Sequence, residues 1–208
     1  MWRRVSLTPA WSRGSLRFYN QITVAIARQR GTDGARLARL LALVNVSMAD
    51  AAIAVWDSKF VHQVGRPITV VRETVDPTFL PLGAPASNLA GPNFTPPFPA
   101  YPSGHAGFGG AVFETLRRFY GTDAIPFTFT SDEMNGATLG NNGAVRPLAP
   151  RSFASLSAAE EENGQSRIYL GIHWRFDKTD GIAQGRNVAD WVFAHAFTPL
   201  RKKAPRTR

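Results

Sequence analysis

Hydrophobic residues recur along the chain at intervals of three and four, the period of an amphipathic α-helix. The segment SLRFYNQITVAIARQR places Phe18, Ile22 and Ile26 on one helix face, and GTDG ends it. A longer helical pattern runs from about residue 35 to 63 and stops at Gly-Arg-Pro, because proline restricts the residue before it. Residues 68–100 are rich in proline, which predicts an extended, irregular connection.

The second half of the chain predicts three more helices. The first covers about residues 103–120, and residues 122–154 are expected to form a loop with one short turn. The next helix begins at SLSAAEE, where Ser157 and Glu160 fit a capping box, and is expected to continue past His173. DKTDG interrupts the pattern before a last helix over IAQGRNVADWVFAHAF. With no repeat and few strand patterns, the predicted fold class is all-α.

Composition is that of a soluble globular domain. The 208 residues are 44% hydrophobic and 19% charged, and the absence of cysteine excludes disulfides and thiolate chemistry. The most apolar stretch, LARLLALVNVSMADAAIAVW, carries Arg39 and Asp50, so we expect no membrane span. The start, MWRRVSLTPAW, lacks the apolar block of a signal peptide. The compartment stays undetermined.

The net charge of +9 lies mainly at the two ends. Residues 1–32 hold six arginines and no acid, and the closing RKKAPRTR holds five basic residues. Such terminal runs are typical of solvated tails, and no zinc spacing or RNA-binding motif accompanies them. We therefore expect a basic segment at 1–14, a helical domain at 15–198 and a basic tail at 199–208, with no nucleic-acid partner.

Two segments in the middle of the chain carry groups suited to an oxyanion. In WDSKFVHQVGRP, Lys59 and Arg66 are two helical turns apart and project from one face of an otherwise apolar helix. In YPSGHAGFGGA, Ser103, Gly104 and His105 stand at a helix start, where free N–H groups and the dipole favour an anion. Each has a simpler explanation: solvated charges for the first, and close packing of small residues for the second.

The third segment, SRIYLGIHWRFD, supplies another cation and another histidine. Asp177 follows His173 by four residues, so on one helix its carboxylate could hold the imidazole in one tautomer, and Arg167 precedes them. A structural role for His173 is equally common. Together the segments offer three cations, a hydroxyl, a helix start and two histidines, which suits a tetrahedral oxyanion. A metal cation is disfavoured because the neighbouring Lys and Arg would repel it.

Taken in order, the three segments resemble the signature shared by type-2 phosphatidic acid phosphatases and vanadium-dependent haloperoxidases. They supply these motifs: Lys59-x6-Arg66-Pro67, Pro102-Ser103-Gly104-His105 and Ser166-Arg167-x5-His173-x3-Asp177. The surrounding TPPFPAYPSGHAGFGGAVF is similar to the soluble chloroperoxidase-like branch. The resemblance implies a helical bundle of the acid phosphatase/vanadium haloperoxidase type, with residues 15–198 as the catalytic domain.

The resemblance also implies a vanadate cofactor and the residues around it. His173, with Asp177 behind it, would bond vanadate, and His105 would be the acid–base group acting on hydrogen peroxide. Five residues would hold the vanadate oxygens: Lys59, Arg66, Ser103, Gly104 and Arg167. Trp56 and Phe98 would line the halide side, although either could be a core residue. The implied reaction oxidises chloride or bromide with hydrogen peroxide to a hypohalous species, which halogenates a small organic acceptor.

Two other functions stay open. The same site could hydrolyse phosphate monoesters as an acid phosphatase, with a phosphohistidine at His173, because phosphate and vanadate share shape and charge. The chain could also be a truncated, inactive relative. Relatives carry an additional helical half before this region, and its absence would expose a helix face and favour homo-oligomers. Relatives also tend to have tryptophan at the position of Gly65. This chain, finally, has no acidic residue before Asp33 that could support Arg167.

Overall fold

The computed structural model describes residues 14–82, 95–132, 134–140 and 143–198. This part of the chain contains eight elements, in the order α1 Gly14–Gln29, α2 Gly34–His62, α3 Pro67–Thr74, α4 Gly104–Tyr120, β1 Phe127–Phe129, β2 Arg151–Phe153, α5 Leu156–Tyr169 and α6 Arg175–His195. The all-α prediction is confirmed. The predicted basic segment, except for its last residue, and the whole of the predicted tail lie outside the described residues.

The first long helices begin and end where the sequence indicates. The Asp33 side chain caps α2 by accepting from the Arg36 N–H at 2.9 Å, and Gln63 ends α2 in a left-handed conformation.

The irregular connection predicted from residue 68 is wrong at its start, because α3 begins at Pro67. Proline suits a first helical position, where the missing N–H would have no intrahelical acceptor.

The loop predicted over 122–154 contains a small antiparallel sheet, so this prediction is also wrong in part. β1 and β2 pair with Phe127 opposite Phe153. Phe127 and Phe129 are both buried and join the core, while Thr128 between them is exposed. Strands of three residues are too short to show a period-two pattern, and for that reason the sequence did not reveal them.

The chain between α5 and α6 departs most from prediction. The N-cap of α5 is Ser155, whose side chain accepts from the Ala158 N–H at 3.1 Å, rather than the predicted Ser157. The helix ends at Tyr169 and does not continue past His173, because Gly171 adopts a positive φ of 69°. The segment DKTDG lies inside α6 and does not interrupt it.

Among the described residues, the helical stretch Gly34–Thr74 contains one window long and apolar enough to cross a membrane, a test that the core helix of a soluble protein also meets. The expectation of no membrane span stays a prediction. One face of α2 lies in the core, where its buried residues include Leu40, Leu43, Val44, Met48, Ala51 and Val55. The core cluster joins this face to side chains from α1, α4 and α5 and from the small sheet.

Helices α4 and α6 cross with almost no space between their backbones. A Cβ added at Gly185 would lie 2.0 Å from the Gly107 carbonyl oxygen, and one at Gly110 would lie 2.4 Å from the Ile182 carbonyl oxygen. Only glycine allows this approach. The crossing brings the start of α6 to the start of α4, where the Ser103 N–H donates to the Asp177 carbonyl oxygen at 2.9 Å.

Candidate active site

His173 is buried in the turn before α6 and is held at both ring nitrogens. Nδ1 lies 2.8 Å from Asp177 Oδ2, and Nε2 lies 3.0 Å from Arg66 Nη1. A guanidinium can only donate, so Nε2 is the acceptor and Nδ1 carries the proton that it donates to Asp177. The contact predicted between His173 and Asp177 is present, but Asp177 reaches back from the first turn of α6 and does not share one helix with His173. The lone pair of Nε2 therefore faces the cations.

Lys59 is completely buried, so its reading as a solvated charge is wrong. Its Nζ donates to the carbonyl oxygens of Pro99 and Ala100, both at 2.9 Å, and of Pro102 at 2.5 Å. Three acceptors require three N–H groups, which only the ammonium form has. Burial lowers the pKa of Lys59 to about 7, and the nearby Arg66 acts in the same direction. Lys59 thus fixes the segment that leads to Ser103.

Arg66 follows α2 rather than lying on it, yet it joins the same site. Its Nε donates to the Phe98 carbonyl oxygen at 2.8 Å and its Nη1 to the Ile172 carbonyl oxygen at 2.7 Å. Nη2 is buried without a hydrogen-bond partner. Burial lowers the pKa of Arg66 to about 10, against the opposing effect of Asp177. The side chain is held rigidly, with one donor unused.

The start of α4 lies at the Lys59-bound segment, as the sequence predicts. Ser103 is the N-cap, fully buried, and its Oγ is 3.4 Å from the Ala106 nitrogen. Gly104 begins the helix, so its N–H belongs to the first turn, which lacks intrahelical acceptors. Burial lowers the pKa of His105 well below its usual value, and the charges of Arg167 and Lys59 lower it further. His105 is therefore a neutral imidazole near both cations.

Arg167 comes from the last turn of α5 and is also buried, and its Nε has no hydrogen-bond partner. Burial lowers its pKa to about 10. The same cause, with Arg66 as the next contributor, lowers the pKa of His173 well below its usual value. Three buried cations thus lie near two neutral histidines and the buried Asp177 carboxyl group. Such an excess of positive charge favours an anion with several oxygens.

Two aromatic rings stand beside the cations. Trp56 and Phe98 have ring centroids 5.4 Å apart, and the Arg66 guanidinium lies 5.0 Å from the Phe98 centroid. Lys59 Nζ lies 5.8 Å from the Trp56 ring and 5.5 Å from the Phe98 ring. Both aromatic side chains are half-buried, so neither is an ordinary core residue. They give the cationic site one apolar wall.

Sequence reasoning missed two residues behind the site. The Tyr19 hydroxyl, on α1, lies 3.0 Å from Asn163 Oδ1 and 3.3 Å from the His105 carbonyl oxygen. Asn163 Nδ2 donates to that same carbonyl at 2.8 Å. Asn163 precedes Arg167 by one helical turn, so this pair of side chains connects His105 with the helix of Arg167. The sequence did offer one indication of this contact: the Tyr19 hydroxyl is a polar group on the apolar face of α1.

Gly65, where relatives tend to have tryptophan, precedes an Arg66 side chain that stays buried and hydrogen-bonded. Arg66 is only 6% exposed, and the Trp174 indole N–H donates to the Gly65 carbonyl oxygen at 2.9 Å. The indole therefore anchors the backbone just before Arg66. For Arg167, no described carboxylate lies within ion-pair distance, in agreement with the absence of an acid before Asp33.

A mainly helical bundle that buries three cations and two histidines around one place has the chemistry of an oxyanion site. Comparison with known proteins identifies its family. The family model described as the VCPO second helical-bundle domain matches residues 39–202. Vanadium chloroperoxidase from Curvularia inaequalis is 41% identical, over 77% of this chain and 33% of its own length. The chain therefore belongs to the vanadium chloroperoxidase family and spans about a third of that curated relative.

Solved structures agree on the fold. A bacterial vanadium-dependent iodoperoxidase superimposes with a TM-score of 0.70 at 32% identity, covering 86% of this chain and 38% of the other. A bacterial vanadium-dependent chloroperoxidase in its holo form superimposes with a TM-score of 0.62 at 17% identity, covering 85% of this chain and 40% of the other. The predicted resemblance and the helical-bundle fold are thus confirmed.

Proposed function

We propose that this chain binds vanadate in the buried cationic site and, with vanadate bound, uses hydrogen peroxide to oxidise chloride or bromide. The observation that supports the proposal is the excess of buried positive charge, with Arg66 Nη2 and Arg167 Nε left without hydrogen-bond partners. Buried donors of this kind are unfavourable unless a ligand accepts from them. A tetrahedral oxyanion supplies both the acceptors and the missing negative charge.

The residues present fit vanadate in number and kind. Lys59, Arg66 and Arg167 would neutralise its charge, while the Ser103 hydroxyl and the Gly104 N–H would donate to its oxygens. The His173 Nε2 lone pair, which accepts from Arg66 Nη1 in this structure, would turn to vanadate, and Asp177 keeps the proton on the opposite nitrogen. Bound vanadate supplies an electron-poor centre at which peroxide becomes an oxidant for halide.

The remaining residues prepare the reactants. His105 is a neutral imidazole, so one of its ring nitrogens would be able to accept a proton from hydrogen peroxide and later release it. The Trp56 and Phe98 rings exclude water from one side of the site, and the cations of Lys59 and Arg66 over these rings would attract a halide there. The hypohalous product would then halogenate a small organic acceptor in solution.

The direct test is halogenation of a chromogenic acceptor by the metal-free protein with peroxide and bromide or chloride, while orthovanadate is titrated. We expect saturable, vanadate-dependent activity that His173→Ala abolishes. His195→Ala is the matched control, because His195 is exposed at the end of α6 and stacks on Trp191, away from the site. Its activity should equal that of the wild type.

Folded protein with no activity at any orthovanadate concentration would overturn the proposal. Hydrolysis of a chromogenic phosphate monoester by the same protein, lost in His173→Ala, would then identify the acid phosphatase alternative. Loss of both activities would identify an inactive relative. Thermal stabilisation by orthovanadate separates binding from catalysis, because a ligand that binds only the folded state stabilises it even when no reaction follows.

A further inference from the structure

Asn163, on α5, reaches across to the backbone of α4 beside the candidate site. Its side-chain Nδ2 donates to the His105 carbonyl oxygen at 2.8 Å. A carbonyl oxygen has two lone pairs, so this one can accept from Asn163 in addition to its own helix. The contact joins the first turn of α4, where Ser103, Gly104 and His105 stand, to a different helix.

The orientation of the Asn163 amide is fixed from behind by Tyr19. The Tyr19 hydroxyl donates to Asn163 Oδ1 at 3.0 Å, so the amide nitrogen has to face the His105 carbonyl oxygen. Tyr19 itself is only 2% exposed and belongs to the core cluster. Because the amide is held at both its oxygen and its nitrogen, it defines one distance between α5 and α4.

Gly109 makes this contact sterically possible. A Cβ added at Gly109 would lie 2.4 Å from Asn163 Nδ2, a distance that real Cβ contacts do not reach. The atom in the way is the end of a side chain rather than backbone, so a larger residue at this position would displace the amide instead of the helix. The glycine-rich start of α4 thus includes one position, separate from its crossing with α6, that the contact with Asn163 requires.

The same face of α5 carries Arg167, one helical turn after Asn163. Arg167 is buried, and its charge acts on the His105 imidazole closely enough to lower the pKa of that group. Residues four apart on a helix are neighbours on its surface, so fixing Asn163 against α4 also fixes where Arg167 enters the site. One asparagine therefore relates a cation on α5 to the histidine on α4.

We propose that Asn163 is a positioning residue of the oxyanion site, which sets the distance between Arg167 and His105. The inference rests on the proposed function for the identity of the anion, but the contact between the helices does not depend on it. Without this contact α5 would still be attached to α4 at its other end, where Glu160 pairs with Arg117. The loss should therefore fall mainly on the end beside the site, in a protein that still folds.

The first test is calorimetric titration of the metal-free full chain with orthovanadate, for Asn163→Ala, Gly109→Ala and the double variant. Each single substitution should weaken binding about 10-fold, as is usual when a residue that orients the ligands of a metal is removed. The double variant should also lose about 10-fold rather than about 100-fold, because both substitutions remove the same contact. We expect the same pattern with inorganic phosphate, since its shape and charge are those of vanadate.

Asn45→Ala is the matched control. The Asn45 amide also joins two helices, exchanging hydrogen bonds with Asn20 at 2.8 and 3.0 Å, but this contact is exposed between α1 and α2. Its removal should leave the affinity for both anions unchanged. An equal loss of affinity in Asn45→Ala and Asn163→Ala would attribute the effect to general loosening of the bundle and would overturn the proposal.

A second measurement uses no anion. In ¹⁵N–¹H spectra of the metal-free protein, the ring signals of His105, assigned by their loss in His105→Asn, should move in Asn163→Ala and in Gly109→Ala. They should stay in place in Asn45→Ala, and the ring signals of the exposed His195 should stay in place in all three. If the wild type bound neither anion, the proposed function would be rejected, and the His105 signals alone would decide the positioning role.

Denaturant titrations test the part played by Gly109. Gly109→Ala should destabilise the wild type but not Asn163→Ala, where the added methyl group meets no amide and alanine is the better helix former. Because the two substitutions reach one contact from opposite helices, the test stands even if one variant folds poorly. Unchanged affinity for both anions in folded Asn163→Ala would overturn the proposal, as would unchanged His105 signals or additive losses in the double variant.

Discussion

Replacing Asp177 by asparagine should make the stability of this protein respond less to pH. Burial raises the pKa of the Asp177 carboxyl group from the usual 3.8 to about 6, although the Trp174 N–H and the cations of Lys59 and Arg66 oppose the rise. A carboxyl group with a higher pKa in the folded state stabilises the fold while it is protonated. That contribution is lost as the pH rises through about 6.

The magnitude follows from the two pKa values. At about 1.36 kcal/mol per pKa unit, ionisation of Asp177 lowers the free energy of unfolding by about 3 kcal/mol at neutral pH. About 2 kcal/mol of this change falls between about pH 4.5 and about pH 7.5. Over that range the free energy of unfolding of the wild type should fall by about 2 kcal/mol relative to Asp177→Asn.

The assay is chemical denaturation of both proteins in steps of about half a pH unit, without phosphate or vanadate, followed by tryptophan fluorescence. The substitution also changes stability by an amount that does not depend on pH, because Asp177 Oδ1 has no hydrogen-bond partner for the new amide to replace. This constant offset between the two stability curves does not affect the comparison of their slopes. Asp57→Asn, on the exposed side of α2, controls for the substitution itself. Stability curves of the wild type and Asp177→Asn that run parallel would refute the reasoning.

Two more predictions concern packing and the support of the site. Gly185→Ala should destabilise the fold by about 3 kcal/mol or more in denaturant titrations, because its Cβ would lie 2.0 Å from the Gly107 carbonyl oxygen. Gly34→Ala, where a Cβ meets nothing within 4 Å, should cost nothing, and equal losses in both would contradict the packing argument. Tyr19→Phe leaves the half-buried Asn163 Oδ1 without its donor and should cost about 1 kcal/mol of stability. It should also weaken orthovanadate binding several-fold in a thermal-shift titration, and unchanged binding would show that Tyr19 has no positioning role.

Helix boundaries were predictable where a local signal fixes them. Asp33 caps α2 with its own side chain, and Gly121 ends α4 with a positive φ of 70°. The turn at Gly171 was not predictable in the same way, because the polar DKTDG that follows looked like the break. Those polar residues lie within α6, where Asp177 turns back to accept from the Trp174 N–H at 2.9 Å. Local composition cannot show that an aspartate acts as a cap rather than as a loop residue.

In the candidate site too, some features were predictable from the sequence and others were not. Charged and histidine side chains in three motifs could be read directly from the sequence, and the structure brings them together. Their immediate partners could not be read, because many are backbone carbonyl groups. Lys59 is held by the carbonyls of Pro99, Ala100 and Pro102, whose directions depend on the path of a proline-rich segment. Side-chain identity carries no information about such acceptors.

The segment YPSGHAGFGGA admitted two explanations, close packing and chemistry, and the structure shows why they are not alternatives. Gly107 lets α6 approach α4 so closely that a Cβ at Gly185 would overlap the Gly107 carbonyl oxygen. That approach places the first turn of α6 at the first turn of α4, where the Ser103 N–H donates to the Asp177 carbonyl oxygen. The Asp177 carboxyl group then orients His173. Because packing sets the distance between the two helix starts, a substitution that separates the helices should disturb His173 and Ser103 together, even though it touches neither.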